Sequence, residues 1–216
     1  MDYIVIPAYN EGKKLGEVIR KAQECGENIV VVDDGSSDDT FQQAKQCGVT
    51  VLKHLVNMGK GAALKTGCDF AYKQGAERYV VLDSDGQHDP KEIPRFFKEL
   101  EKQDIVFGYR QLSPTMPLVL KFGNWFINRT LATLFHIDLQ DSQSGYRAFT
   151  RKAYEQIRWE ATDYYMETEM IIKAGRKKLL YTQIPIETIY GDKYKGTTVL
   201  DGVKIVVKML GSKVLK

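Results

Sequence analysis

Cysteine is scarce in this chain: 216 residues carry only Cys25, Cys47 and Cys68, with no C-x-x-C spacing. Neither a disulfide framework nor a zinc site is indicated, and a reducing compartment fits. Histidine is as sparse, and of His54, His88 and His136 only His88 lies beside an acidic cluster. A strong charge bias is missing too. The formal net charge is +3, too small to argue for a nucleic-acid partner. No uninterrupted apolar run reaches the roughly 20 residues that a membrane span needs. The most apolar stretch, 116–135, is broken by Lys121, Asn124, Asn128 and Arg129. The run at 3–7 follows Asp2 and stops at Asn10 and Glu11, without the charged-then-apolar layout of a secretory leader. There is no internal repeat, low-complexity tract or Pro/Ser-rich linker to mark a second folding unit.

What the chain does have is a 43% hydrophobic content, enough for one continuous core, so a single domain over 1–216 is expected. Short β-branched runs alternate with helix-like stretches, which predicts an α/β fold with a mostly parallel sheet. Strands are predicted at 3–7, 29–33, 50–53, 79–83 and 105–107, and helices at 15–24, 40–46, 61–74 and 90–102. Gly26, Gly48 and Gly75 each stand where a helix C-cap belongs. Asp89, Pro90 and Glu92 read as N-cap, first helical residue and reciprocal capping-box member. Beyond Gly108 the alternation weakens, leaving a helix at 118–135, a segment at 144–149, a helix at 167–174 and a strand at 179–185. The basic run Arg176-Lys177-Lys178 reads as a solvated turn.

Open parallel sheets bind ligands at the carboxyl ends of their strands, and polar clusters fall at three such ends. Asp83 and Asp85 are one residue apart, so at an extended strand end both carboxylates face one side and can share a cation. Oxygen ligands favour Mg2+ or Mn2+, ions that complete their shells with water and substrate phosphates. The bland alternative is a pair of polar loop residues before a helix cap. Asp33-Asp34-Gly35-Ser36 and Pro7-Ala8-Tyr9-Asn10-Glu11 end two further strands, offering acceptors and an aromatic face. Asn57-Met58-Gly59-Lys60-Gly61 would bring backbone amides and the Lys60 ammonium toward a phosphate at a helix N-terminus. It is not a Walker motif, and no G-x-G-x-x-G follows the first strand. In Met166-Glu167-Thr168-Glu169-Met170 only one of the two glutamates can face the crevice, and a solvated helix face is the favoured reading for both. The aromatic stretch 116–135 is either a core helix or an amphipathic element at a membrane surface, and the tail 199–216 mixes apolar residues with lysines that suit an anionic bilayer.

Five motifs occur in order: P-A-Y-N-E from Pro7, V-D-D-G-S-S-D from Val32, N-M-G-K-G from Asn57, D-S-D-G-Q-H-D-P from Asp83 and D-S-Q-S-G-Y-R from Asp141. Together they resemble family 2 glycosyltransferases of the A-type, Rossmann-like fold, with helices on both faces of the sheet. Within that family the chain is similar to the dolichyl-phosphate sugar synthases. The resemblance implies that Pro7, Tyr9, Glu11 and Asp34 hold the nucleoside, with Lys60, Ser84 and Lys195 also on the nucleotide sugar. It implies that Asp83, Asp85 and Gln87 surround Mg2+ or Mn2+ and that Arg110 neutralises phosphate. Arg129 and Arg147 would meet the acceptor's phosphate, and Asp85, Arg110 and Arg147 would carry catalysis. The nucleotide sugar would occupy about 1–110 and the acceptor about 111–216.

The implied reaction moves a sugar from a UDP- or GDP-linked donor to a polyprenyl phosphate with inversion, on a protein peripheral to the cytoplasmic face of a membrane. One departure from mannose synthases stands out. An arginine and an S-K pair are expected after the Pro185-Ile186 strand, and here only Lys193 or Lys195 could substitute. That weakens GDP-mannose as donor and makes UDP-linked glucose or N-acetylglucosamine at least as good a reading, with the sugar left open. A saccharide hydroxyl acceptor, a sugar nucleotidyltransferase and a non-catalytic nucleotide-sugar-binding module are the alternatives.

Overall fold

The computed structural model of the chain describes residues 1–110, 118–187 and 208–209, the side chains of 118–124 excepted. The elements run β1 (Asp2–Ala8), α1 (Gly12–Gln23), β2 (Ile29–Asp33), α2 (Thr40–Gln46), β3 (Thr50–Lys53), α3 (Lys60–Lys73) and β4 (Arg78–Val81). They continue with α4 (Ile93–Glu99), β5 (Ile105–Arg110), α5 (Leu118–Phe135), β6 (Arg147–Thr150), α6 (Arg151–Ile157), α7 (Tyr165–Arg176) and β7 (Tyr181–Ile186). The strands form one sheet in the order β3-β2-β1-β4-β6-β5-β7. All neighbours are parallel except those of β6, which runs antiparallel to both β4 and β5.

The central strands β1, β2 and β4 are buried on both faces, which is why they read as continuous apolar runs rather than alternating ones. In β2, Val30 and Val32 enter a core built with α3, α5, α6 and α7, while Ile29 and Val31 enter the opposite core with α1, α2 and α4. Each such fully buried aliphatic side chain contributes on the order of 1.5–3 kcal/mol. Helix α3 lies closest to the sheet at Gly67, where a β-carbon would stand 2.5 Å from Val5 Cγ1 and 3.0 Å from Val32 Cγ2. That contact fixes the depth of α3 and so aims its first residue, Lys60, across the sheet's carboxyl edge.

Several boundaries differ from expectation for identifiable reasons. Strand β4 ends at Val81, because residues from Asp83 onward turn away, with Gly86 at φ 71°. The helix expected over 90–102 is a 3-10 turn at Pro90–Glu92 followed by α4. Pro94 fits only the first turn of a helix, so α4 starts afresh there. Asp89 does cap, accepting from Lys91 N at 3.1 Å, but Glu92 pairs with Arg95 instead of reaching back. Gly48 and Gly75 take the left-handed conformation of a C-cap, at φ 72° and 84°, whereas Gly26 does not. Helix α6, capped by Thr150 Oγ1 on Ala153 N, was not foreseen. The basic turn at 176–178 is exposed as expected. In the tail, Lys208 pairs with Asp163 and Met209 is buried in the core, so these two residues face protein rather than a bilayer. Among the described residues no helix is long and apolar enough to cross a membrane.

Candidate active site

The carboxyl ends of β1, β2 and β4 lie side by side, with Ala8 opposite Asp33 and Val5 opposite Val81. Pro7 is buried in β1, beyond the last residue paired with β4, a position where a strand residue without an N–H is tolerated. The next residues are zipped to the turn after β2. Asn10 N donates to Ser36 Oγ, Ser37 N to Asn10 Oδ1, and Glu11 N to Thr40 Oγ1, each at 2.9 Å. Tyr9, next to this zipper, is exposed.

Asp34 does not project into the crevice as a ligand for ribose would. It is buried, and its carboxylate accepts from Met58 N at 3.0 Å, from Gly59 N at 2.8 Å and contacts His54 Nδ1 at 2.7 Å. Its oxygens shape the loop that delivers Lys60.

Lys60 is engaged with protein as well: its ammonium sits 2.7 Å from Asp83 Oδ1 and 2.7 Å from Glu167 Oε1, bridging two carboxylates. Burial would lower its pKa, but the two carboxylates override that and hold it above the usual lysine range. Glu167, only 3% exposed, is thus the glutamate of α7 that faces the crevice, against the expectation of a solvated face. Glu169 turns away and accepts from the backbone N–H groups of Glu160 and Ala161.

Asp83 and Asp85 differ in environment. Burial pushes the Asp83 carboxyl up, yet Lys60 outweighs it and holds the group below the ordinary range. Asp85 is shifted upward, chiefly by burial, with the neighbouring charge of Asp83 adding to it. Asp85 Oδ1 accepts from Gln87 N at 3.0 Å and Lys14 Nζ donates to the Asp85 carbonyl at 3.0 Å, so the loop is held from below. Ser84 is buried between them. His88 packs on Tyr146 with ring centroids 5.4 Å apart, and its buried Nδ1 has no hydrogen-bond partner among the described residues. No group of three His, Cys, Asp or Glu side chains suited to a metal occurs among those residues. Two carboxylates and an amide nonetheless match Mg2+ or Mn2+, which take few protein oxygens beside waters and phosphates. A divalent cation would offset the burial of the Asp85 carboxylate and its repulsion from Asp83, so the donor types of Asp83, Asp85 and Gln87 fit such an ion.

The segment 141–147 ties the two halves together. Asp141 is 2% exposed and grips Arg110. Ser142 N donates to Asn128 Oδ1 at 3.2 Å, linking α5 to the site. Gly145 passes so close that a β-carbon would lie 2.6 Å from Asp83 Oδ2 and 2.8 Å from Lys60 Nζ. Arg147 is held wholly within the protein. It is 1% exposed, and Nε, Nη1 and Nη2 donate to the carbonyls of Ser144, Glu167 and Ser142 at 2.9, 2.6 and 2.7 Å. A guanidinium so committed braces the 142–144 segment against α7. Arg129, by contrast, is exposed on α5, on the helix that also exposes Trp125 and Phe126. Lys193 and Lys195 lie outside the described residues.

Sequence reasoning missed Asp141 and Gly145 although both stand inside a quoted motif, and undervalued Glu167. The usable signal for Glu167 was its setting between Met166 and Met170 with apolar residues at helical spacing.

The family model described as "Glycosyl transferase family 2" matches residues 3–158. A Methanococcus voltae protein named UDP-N-acetylglucosamine--dolichyl-phosphate N-acetylglucosaminyltransferase is 35% identical, over 96% of this chain and 94% of its own length. An uncharacterized protein of Methanocaldococcus jannaschii is 37% identical over 98% and 92% of the two chains. Among solved structures, glucosyl-3-phosphoglycerate synthase of Mycobacterium tuberculosis, in complex with Mn2+, UDP and phosphoglyceric acid, superposes with a TM-score of 0.78 at 18% identity. That match covers 99% of this chain and 78% of the other. At that identity it establishes a shared A-type fold.

Proposed function

The chain belongs to glycosyl transferase family 2, and from that premise we propose that it transfers a sugar from a UDP-linked donor to a polyprenyl phosphate, inverting the anomeric centre. The observation that carries this reading is the end-to-end similarity to the Methanococcus voltae N-acetylglucosaminyltransferase, whose named acceptor is dolichyl phosphate. N-acetylglucosamine is accordingly the first sugar to test. The pair Asp83 and Asp85 at the end of β4 supports a diphosphate on the donor side.

In the proposed reaction an oxygen of the acceptor phosphate forms a bond to the anomeric carbon while the bond from that carbon to the nucleotide diphosphate breaks. The electron pair leaves with the diphosphate. A phosphate monoester is largely ionised near neutral pH, with a second pKa of about 6, so no carboxylate base has to remove a proton. When bound at Asp83, Asp85 and Gln87, Mg2+ or Mn2+ supplies charge neutralisation for the diphosphate. Tyr9 and Glu11 face the nucleoside, Pro7 shapes the strand end beneath it, and Arg110 adds a fixed positive charge on the far side. Arg129 is the cation placed for the acceptor's phosphate, and Trp125 and Phe126 beside it suit a protein resting on a bilayer, where the polyprenyl tail remains in lipid. In this reading 1–110 carry the donor side and 111–216 the acceptor side of one catalytic unit.

The test is incubation of the protein with Mn2+ or Mg2+, polyprenyl phosphate and a panel of UDP- and GDP-sugars. A lipid-linked sugar formed from a UDP-sugar is expected. Transfer to a free sugar hydroxyl with no lipid product would replace the acceptor in this proposal.

A further inference from the structure

We propose that Lys60 is a built-in counter-cation that keeps the Asp83 and Asp85 pair from holding a divalent metal tightly until a nucleotide diphosphate arrives. The inference rests on the metal-binding part of the function proposed above, and it concerns a residue for which a plain phosphate contact was the expectation.

The geometry is specific. Lys60 Nζ lies 2.7 Å from Asp83 Oδ1, so one of the two carboxylates offered to a metal already shares its charge with an ammonium. Glu167 Oε1, also at 2.7 Å, holds that ammonium from the other side. Neither partner can drift. Lys60 opens α3, whose next residues are pinned where Gly61 N donates to the Thr162 carbonyl at 2.8 Å and Trp159 Nε1 donates to the Gly61 carbonyl at 2.8 Å. Gly145 closes the remaining side, with room for no β-carbon. Glu167 is fixed through its own carbonyl by Arg147.

Charge then decides the order of binding. Asp83, Asp85 and Glu167 carry three negative charges, and Lys60 cancels one of them within contact distance. A divalent ion entering alone is repelled by the ammonium and finds Asp85 as its one undiluted carboxylate. A nucleotide diphosphate brings further negative oxygens, which compensate Lys60 and complete the metal's shell. Metal and nucleotide therefore enter as a linked pair, and Glu167 tunes the linkage by sharing the ammonium.

The signs of the charge effects make the idea testable without any sugar transfer. Binding of Mn2+ alone, read from the free-ion EPR signal, is compared for the wild type, K60Q, E167Q, K60Q/E167Q and D85N, and then repeated with UDP present. K60Q should tighten Mn2+ binding without nucleotide by roughly tenfold, since a positive charge a few ångströms from the ion is removed. E167Q should weaken it, because the ammonium then bears on Asp83 alone. The double variant, which changes no net charge, should return near the wild type, and this also guards against misfolding of K60Q. With UDP present the gap between K60Q and the wild type should shrink. Loss of affinity in both K60Q and E167Q, or no change in either, would overturn the proposal by making the bridge purely structural. Unchanged Mn2+ binding in D85N would overturn it by placing the ion elsewhere. Failure of the lipid-acceptor reading would appear separately, as absent lipid product with these Mn2+ shifts intact.

Discussion

Arg110 and Asp141 form a two-point ion pair, Nε to Oδ2 at 2.7 Å and Nη2 to Oδ1 at 3.1 Å. Asp141 is buried, so R110A strands a charge in the interior, a change that costs on the order of 3–5 kcal/mol. R110K keeps the charge but cannot make the fork, and an intermediate loss is expected. Burial would raise the Asp141 carboxyl, yet Arg110 and the backbone N–H groups of Arg110 and Gln143 hold it below the ordinary range. With the folded pKa depressed, its contribution is complete above the unfolded value of about 3.9 and is lost as the pH falls through the lower folded value. Urea unfolding over a pH series should therefore show a steeper acid limb for the wild type than for D141N. Parallel acid limbs would deny the pair this role.

Arg147 and Arg129 separate support from contact. Arg147 fills three backbone carbonyls, and R147K can satisfy them only in part. Each buried acceptor left unsatisfied costs about 1–3 kcal/mol. R147K should thus lower the unfolding midpoint, while R129A, at an exposed position, should leave the midpoint unchanged and raise KM for polyprenyl phosphate. A raised acceptor KM in R147K with undiminished stability would reverse the assignment.

The sheet was largely legible because β1, β2 and the start of β5 are apolar runs buried on both faces, and such runs announce themselves whatever their partners. Helix α6 and the antiparallel course of β6 were not, since direction and pairing depend on contacts between β6 and strands dozens of residues away. The site divides in the same manner. The spacing of Asp83 and Asp85 alone allows a cation site or a pair of polar loop residues, and it is their place at the end of β4 beside two other polar strand ends that favours the cation. Asp34, Lys60 and Arg147 carry the residue types of ligand contacts, but their partners are the Met58 and Gly59 amides, Glu167 and the Ser142 carbonyl, which only the folded chain brings near. A charged side chain in a motif says that charge is needed there, and the fold decides whether it faces a ligand or its neighbours.

Gly145 has no positive φ to explain it, and its need is steric. In G145A the new methyl would stand 2.6 Å from Asp83 Oδ2 and 2.8 Å from Lys60 Nζ. Lys60 is held by Glu167, so the Asp83 carboxylate has to rotate out of line with Asp85. The expected result is a loss of Mn2+-dependent UDP binding, measured by calorimetry, that is larger than any change in the unfolding midpoint. Equal UDP binding in G145A and the wild type would show that the carboxylate has slack.

Asp34 supplies the last test, because its carboxylate serves two backbone donors at once. Oδ1 accepts from Met58 N and Oδ2 from Gly59 N, so in D34N one of the two positions must become an amide NH2 facing a backbone N–H. His54 at Oδ1 could change tautomer in response, but the two peptide donors cannot. An opposed, buried donor costs about 1–3 kcal/mol, and Gly59, held at φ 96° immediately before Lys60, loses its anchor. D34N should therefore lower stability and, by loosening Lys60, weaken the cooperation between Mn2+ and UDP, with no direct loss of a nucleoside contact. UDP binding measured without metal separates the two readings. If Asp34 shapes the loop, metal-free UDP affinity in D34N stays near the wild type. If Asp34 holds the ribose, that affinity falls whether or not metal is present.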